Sequence, residues 1–316
     1  MENYKCKICN NAIDNKPFTA REMMFGFHDR FIYFQCSACG CVQITEPPET
    51  LDKYYPLSEY YSFHLSNKRK GFIRTLFIRL LVKGCILGII HGNIRYIRQY
   101  EWLPVLKNIK KQARILDIGC GNGFLLKEMY LWGFKNLTGI DPFIEKEIEA
   151  ANGIKIYKQS VFEHNGKYDF IIMNHSFEHM DKPYEILLKC NELLTINGLL
   201  LICVPVSDSY AFRKYGANWG QLDAPRHLFL YTTNSLSILA KSTGFTLENI
   251  IYDSKSGQFI GSEKYQNAGQ KVAVPYRRKK ELQKFAKRLN VLRDGDQACF
   301  TFRKNCNNGY ANIDKQ

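Results

Sequence analysis

The sequence lacks an apolar run long enough to cross a membrane. A spanning helix needs about 18 or more nearly uncharged residues, and the most apolar stretch, residues 72–90, is interrupted by Arg74, Arg79 and Lys83. At helical spacing Lys70 and Arg74 fall on one side and Arg79 and Lys83 on the other, so the stretch does not form an interfacial amphipathic helix either. It reads as a buried or cofactor-covering helix broken near Gly84 and Gly88, with contact to a membrane surface as the minor alternative. An apolar leader is missing too: residues 1–15 are polar, which argues against a secretory signal. No internal repeat is visible. Negative charge is scarce, with 30 Asp and Glu against 44 Lys and Arg, a net +14. That surplus suits a partner bearing phosphate, whether nucleic acid, a nucleotide-linked substrate or an anionic headgroup. A solvated basic surface without a specific partner is the plainer alternative.

What is present is a globular balance, 45% apolar and 23% charged in 316 residues, enough for one large α/β domain and a smaller appendage. The eleven cysteines do not form a secreted disulfide framework. Two close Cys-x-x-Cys pairs point to metal instead, and a reducing cytoplasm is the expected compartment. Cys6-Lys-Ile-Cys9 and Cys36-Ser-Ala-Cys39-Gly40 can bring four thiolates around one tetrahedral zinc. Their separation exceeds the usual ribbon spacing and leaves room for a β-hairpin excursion carrying residues 25–28. A site closed by four sulfurs has no open position for water, so its expected role is structural. Cys41 is a possible substitute ligand, while Cys85, Cys120, Cys190 and Cys203 are expected to pack as small hydrophobes.

Three segments follow: a zinc-ribbon-like 1–48 ending at Pro47-Pro48, an aromatic and basic helical linker or lid over 49–111, and an α/β domain over 112–316. In the last, apolar runs at 114–118, 136–141, 154–157, 168–173 and 198–204 alternate with helical spacing at 124–132, 144–151 and 184–194. This βαβ rhythm implies a parallel, doubly wound sheet. Residues 234–242 read as another helix, 246–251 as a sixth strand and 298–303 as the last. Between these two lies an insertion, 254–297, with a basic helix around 277–289.

In Asp117-Ile-Gly-Cys-Gly-Asn-Gly123, three alternating glycines follow a strand and precede a helix. The backbone can turn sharply there and approach a ligand beside the positive helix end. Asp141 stands twenty residues after Gly121, at the end of the second strand, where a carboxylate can accept both hydroxyls of a ribose. A dinucleotide dehydrogenase would need Gly or Ala where Phe124 or Leu126 stands. Asp117 before the turn suits a cationic amino-acid end better than a pyrophosphate.

Ile115-Leu-Asp-Ile-Gly-Cys-Gly-Asn-Gly123 resembles motif I of class I S-adenosylmethionine-dependent methyltransferases, and the resemblance extends over about 112–252. It implies a Rossmann-like seven-stranded sheet whose seventh strand lies antiparallel beside the sixth, with 254–297 as the insertion between them. It also implies that Asp117, Gly119, Cys120, Gly121, Asn122 and Gly123 hold the methionine portion, Asp141 and Pro142 the ribose, and Ser160 and Val161 the adenine. Asn174 and His175, in the run Tyr168-Asp-Phe-Ile-Ile-Met-Asn-His-Ser-Phe-Glu-His179 that resembles the fourth-strand motif, would face the cofactor.

Methyl transfer draws much of its rate from positioning, and a hydroxyl acceptor also gains from a general base such as histidine. Three histidines, His175, His179 and His227, fall near the strand ends, and His179 and His227 are the catalytic candidates; a capping or cofactor-covering histidine is the alternative for His179. Pro225-Arg-His-Leu228 resembles a group of bacterial methyltransferases of sugar and surface-polysaccharide biosynthesis, many with N-terminal cysteine clusters. Arg226 either holds a substrate phosphate or pairs with Asp223. Tyr60 and Tyr61 are lid candidates. The leading expectation is methylation of a sugar hydroxyl in a nucleotide- or lipid-linked glycan precursor. RNA methylation is the second reading, although Asn174-His-Ser-Phe177 departs from the Asn/Asp-Pro-Pro-aromatic run of exocyclic-amine methylases. A non-catalytic zinc-ribbon binding protein is the third.

Overall fold

The computed structural model describes residues 4–55, 76, 78–80, 100–150, 152–267 and 273–305. Most of 49–111, including Tyr60, Tyr61, Cys85 and the greater part of the expected 72–90 helix, lies outside the described residues. Among those described, no helix is long and apolar enough to cross a membrane.

The larger sheet is built from β4 (Arg114–Ile118), β5 (Asn136–Ile140), β6 (Ile148–Glu149), β7 (Lys155–Tyr157), β8 (Tyr168–Asn174), β9 (Leu194–Pro205), β11 (Phe245–Tyr252) and β12 (Gln297–Lys304). Its order is β11-β12-β9-β8-β4-β5-β7-β6. Strands β7, β5, β4, β8 and β9 run parallel, and β12 is inserted antiparallel between β9 and β11. The seventh main strand therefore lies where the resemblance placed it.

Alternation along the central strands feeds two cores. Leu116, Ile118, Ile171, Met173, Leu200, Ile202 and Val204 pack on one face with helices α2 (Pro183–Leu193) and α4 (Thr233–Ser242). Ile115, Phe170, Ile172, Leu199, Leu201 and Cys203 pack on the other with α1 (Phe124–Leu131), Trp102 and Trp132. Burial on both faces explains why these strands read as continuous apolar runs. The insertion forms α5 (Gly257–Gln266) and the basic α6 (Tyr276–Val291), while a short helix, α3 (Tyr210–Tyr215), follows β9.

One expected helix is absent. Residues 144–147 are irregular instead, and Ile148–Glu149 make the short edge strand β6, antiparallel to β7. Asn152-Gly153 is the reason: Gly153 takes φ +83°, and the pair turns the chain back as a hairpin.

The N-terminal segment forms a second sheet, β1 (Lys16–Arg21), β2 (Arg30–Gln35) and β3 (Val42–Ile44), in order β1-β2-β3-β10. Its fourth strand, β10 (Phe229–Leu230), comes from the α/β domain, with Phe229 opposite Gln43 and Leu230 opposite Val42. The cap of α4 reaches the same seam: Thr232 Oγ1 accepts from Ser235 N at 2.9 Å and donates to the Cys39 carbonyl at 2.6 Å.

A buried cation fastens the join. Arg226 is fully buried, its Nη2 lies 2.6 Å from Asp223 Oδ1 and 3.0 Å from Glu22 Oε1, and its Nη1 donates to the Tyr54 carbonyl at 3.2 Å. The Phe25 ring lies 5.1 Å from the guanidinium carbon. Glu22 in turn shapes the β1–β2 loop by accepting from the backbone N–H groups of Met24, Phe25 and Phe27, each at 3.0 Å. Removing one member of a buried ion pair leaves the other uncompensated and costs about 3–5 kcal/mol. Glu22→Gln is therefore expected to lower unfolding stability by about that amount in urea titrations. Glu281→Gln, whose partner Arg277 lies on the open surface of α6, is expected to leave the transition in place.

Candidate functional site

The sites expected from the sequence gather at the C-terminal edge of the parallel strands, the binding edge of open α/β sheets. The glycine turn leaves β4 with Gly119, Gly121 and Gly123 at φ +72°, +51° and +73°. A Cβ on Gly119 would stand 2.5 Å from Ser176 Cβ, and one on Gly123 would stand 2.2 Å from Ile156 Cδ1. Gly119 thus requires glycine for space as well as for φ, while at Gly123 the Ile156 tip could move aside and the positive φ is what favours glycine. Ser176, which the sequence did not single out, donates to the Ile118 carbonyl at 2.7 Å and ties the end of β8 to this turn.

Asp117 and Asp141 are both buried. Burial, reinforced by the Asp141 charge, pushes the Asp117 carboxyl up to about 8. Asp141 Oδ2 accepts from Gly121 N and Oδ1 from Phe143 N, each at 2.9 Å. Two carboxylates thus flank the glycine turn, and a cationic ligand group there would relieve both the desolvation and the repulsion. Ser160 is held by Glu163, which accepts from its N at 2.7 Å and its Oγ at 2.9 Å, and Val161 is buried beside it. Pro142 follows Asp141 directly, and Cys120 and Asn122 lie within the turn.

At the end of β8, His175 takes φ +55°, and its N donates to the Cys203 carbonyl at 2.8 Å. His175 Nδ1 lies 3.6 Å from Glu178 Oε1. Desolvation disfavours the imidazolium, but the Glu178 carboxylate outweighs it and raises the His175 pKa. The short helix Phe177–His179 then brings Glu178 and His179 against the loop that carries His227. The His179 and His227 ring centroids lie 4.7 Å apart at 70°. His227 Nδ1 is 2.7 Å from the Gln221 carbonyl, and Tyr33 donates to the His227 carbonyl at 2.9 Å. Burial, reinforced by the neighbouring His179, lowers the His227 pKa to about 4. The structure therefore joins His179 and His227, from opposite sides of β9, into one cluster with Glu178.

Arg226 does not face this cleft as a phosphate ligand. Its guanidinium is consumed by Asp223, Glu22 and Tyr54. Pairing with Asp223 was legible at a spacing of three residues, but Glu22 lies 204 positions away and carries no local signal.

The four cysteines also converge: Cys6 Sγ lies 3.6 Å from Cys39 Sγ, and Cys9 Sγ lies 3.5 Å from Cys36 Sγ. All four sulfurs lie within 4.8 Å of one another. Sulfurs around a tetrahedral zinc at 2.3 Å stand about 3.8 Å apart, so the cradle fits that ion. Gln43 Nε2 at 2.8 Å and Ile8 N at 3.4 Å donate to Cys6 Sγ, as outer donors to a thiolate do. Cys41 stands outside the group, fully buried, its thiol directed at the Val42 carbonyl. Cys190 and Cys203 are buried in the cores and Cys120 is half-buried.

Residues 94–250 match the methyltransferase domain family. With the glycine turn, the paired carboxylates and the inserted antiparallel strand already in place, the assignment is settled. The chain belongs to the class I S-adenosylmethionine-dependent methyltransferases. This methyltransferase is 28% identical over 185 residues to the ubiquinone biosynthesis O-methyltransferase of Maricaulis maris (strain MCS10), covering 52% of this chain and 69% of that protein. It is 35% identical over 127 residues to the protein of the same name from Rickettsia canadensis (strain McKiel), covering 36% of this chain and 53% of that protein. Against several further curated relatives it spans about half of their length. Among solved structures it is similar to a SAM-dependent methyltransferase from Archaeoglobus fulgidus, with TM-score 0.45 and 19% identity over 68% of this chain and 98% of that one.

Two outcomes are expected of this methyltransferase. Cys36→Ser should remove one equivalent of zinc per chain, read by elemental analysis, and lower the melting temperature. Asp117→Asn should act through pH. The folded pKa of Asp117 lies above its unfolded value, so the folded state keeps a proton that the unfolded chain loses, and stability falls as pH rises from about 4 to about 8. The asparagine variant is therefore expected to melt higher than the parent at pH 8.5, by about 2–4 °C for each kcal/mol recovered, with little gain near pH 4.

Proposed function

We propose that this chain transfers the methyl group of S-adenosylmethionine to a hydroxyl oxygen, with a sugar of a nucleotide- or lipid-linked glycan precursor as the acceptor class. One observation carries the reading: two buried acidic groups, Asp117 and Asp141, flank a glycine turn of positive φ that leaves no room for a side chain at Gly119. The site holds negative charge where a zwitterionic amino acid and a ribose would meet it.

When bound, the cofactor supplies an electrophilic methyl on a sulfonium. Asp117 takes the ammonium end of its methionine, along the backbone of Gly119, Cys120, Gly121, Asn122 and Gly123. Asp141 has one lone pair on each oxygen occupied by a backbone N–H and keeps others for the ribose hydroxyls. Pro142 fixes the chain after it. Ser160 and Val161 border the adenine, and Asn174 and His175 close the mouth of the site.

The acceptor side supports oxygen as the target. Carbonyl partners at Nδ1 of both His179 and His227 leave the opposite ring nitrogens with lone pairs that can accept from a hydroxyl. The matched relatives are themselves named O-methyltransferases. A phosphate-bearing acceptor is assigned to Lys255 and Lys287, which line one cleft with Glu101, Ser254, Gln283 and Asn290 and leave it a net positive charge. The four cysteines hold a structural zinc, since a tetrathiolate site offers no open position.

Calorimetric titration with S-adenosylhomocysteine is the deciding experiment. Micromolar binding that Asp141→Ala weakens by at least about tenfold, or about 1.4 kcal/mol, is expected. A folded parent that binds none would sink the reading and bring forward the zinc-bearing sheet as a binding module.

A further inference from the structure

Glu178 is a buried carboxylate with unfinished bonding. It is 1% exposed, and its Oε2 has no hydrogen-bond partner. Among the described residues, its Oε1 is met by imidazole nitrogens at longer range, His175 Nδ1 at 3.6 Å and His227 Nε2 at 4.0 Å. A buried anion so poorly satisfied calls for a missing partner, and an ion is the ordinary one.

The tautomers around it fit a cation. The Gln221 carbonyl lies 2.7 Å from His227 Nδ1, and the Arg226 carbonyl lies 2.9 Å from His179 Nδ1. A carbonyl only accepts, so both Nδ1 atoms carry the proton, which on His179 also points toward the Tyr55 hydroxyl oxygen at 3.1 Å, and both Nε2 atoms keep a free lone pair. Fixing a ligand imidazole by a carbonyl on its other nitrogen is the usual outer arrangement of metal sites. One ligand atom each from Glu178, His179 and His227 lies within 4.8 Å of the others. Metal–ligand distances of about 2.0–2.2 Å bring such atoms to about 3–3.5 Å, so only a small inward rotation of the side chains is required.

We propose that Glu178, His179 and His227 bind a divalent transition-metal ion distinct from the four-cysteine zinc, with hydroxyl oxygens of the acceptor filling its open positions. Two imidazoles and one carboxylate suit zinc, cobalt, manganese or iron rather than magnesium or calcium. Three protein ligands leave at least one position open, unlike the closed sulfur site. The location agrees with that use: Glu178 lies two residues past Ser176, which touches the glycine turn. The identity of the remaining ligands rests on the hydroxyl-methylation reading above; binding of the ion itself does not.

The test is titration of the zinc-loaded full chain with Co(II), without cofactor, followed by visible absorption. One equivalent giving d–d bands without thiolate charge transfer is expected. Glu178→Gln and His227→Gln should each weaken it by more than about tenfold, with thermal melts confirming folding. No cobalt uptake by the parent, or equal uptake by folded variants, overturns the site. For a variant that fails to fold, Glu178→Asp, which shortens the ligand but keeps the charge, takes its place, and unchanged affinity there overturns the site as well. Adding catechol, a simple vicinal diol, should shift the bands; unchanged bands overturn the assignment of acceptor hydroxyls. S-adenosylhomocysteine binding measured on the same sample reports separately on the methyltransferase reading.

Discussion

The ion pair among Arg226, Glu22 and Asp223 is the constraint on which the histidine cluster of this molecule depends. A guanidinium with no exposure to water is tolerable only if its charge and donors are met from every direction. Here the two carboxylates come from different parts of the fold, one in the β1–β2 loop and one in the loop after β9. The Tyr54 carbonyl and the Phe25 ring complete the enclosure. His227 follows Arg226 directly, and His179 touches the Arg226 carbonyl. The N-terminal sheet therefore sets the positions of both histidines without contributing a group to the cofactor side.

That dependence gives the sulfur cluster a structural meaning. Cys39 is bonded through its carbonyl to the Thr232 cap of α4, and β3 is completed by β10. The β1–β2 hairpin that Glu22 organises springs from the same small sheet. A metal held by the four cysteines would cross-link a small sheet with little core of its own, and these contacts tie that sheet to the His227 loop. The glycine-turn side is built differently. It relies on bare backbone and on two buried acidic groups, one of which, Asp117, keeps its proton up to about pH 8 in the folded chain until a ligand of opposite charge is at hand.

The cofactor side was largely legible because its signals are local. Asp117, the three glycines and Asp141 lie within one βαβ unit, and the apolar runs of β8 and β9 are buried on both faces. The four cysteines were legible because paired spacing is itself the ligand geometry. The edge hairpin at β6 was misread as helix, since Ile144 and Ile148 stand at helical spacing while the deciding pair, Asn152-Gly153, lies beyond it. Glu178 stood beside His179 in the sequence, yet only the fold shows it facing His227 as well. Glu22 was invisible, because nothing in a sequence announces a partner 204 positions away.

Arg226 shows how far a motif can mislead when its charge is already spent. An arginine next to a histidine after the fifth main strand suggests an anion clamp, and the net +14 of the chain encourages the idea. Burial decides against it: a phosphate would have to displace Asp223 and Glu22 from a cation that has no contact with water. Replacing two carboxylates at hydrogen-bonding distance would strand both as buried unpaired anions, a larger cost than one new phosphate contact returns. Any anionic group on the acceptor must then meet cations elsewhere, and Lys255 and Lys287, on the insertion between the last two main strands, face one cleft. The buried arginine thus serves the fold, holding the loop that carries His227 against the N-terminal sheet.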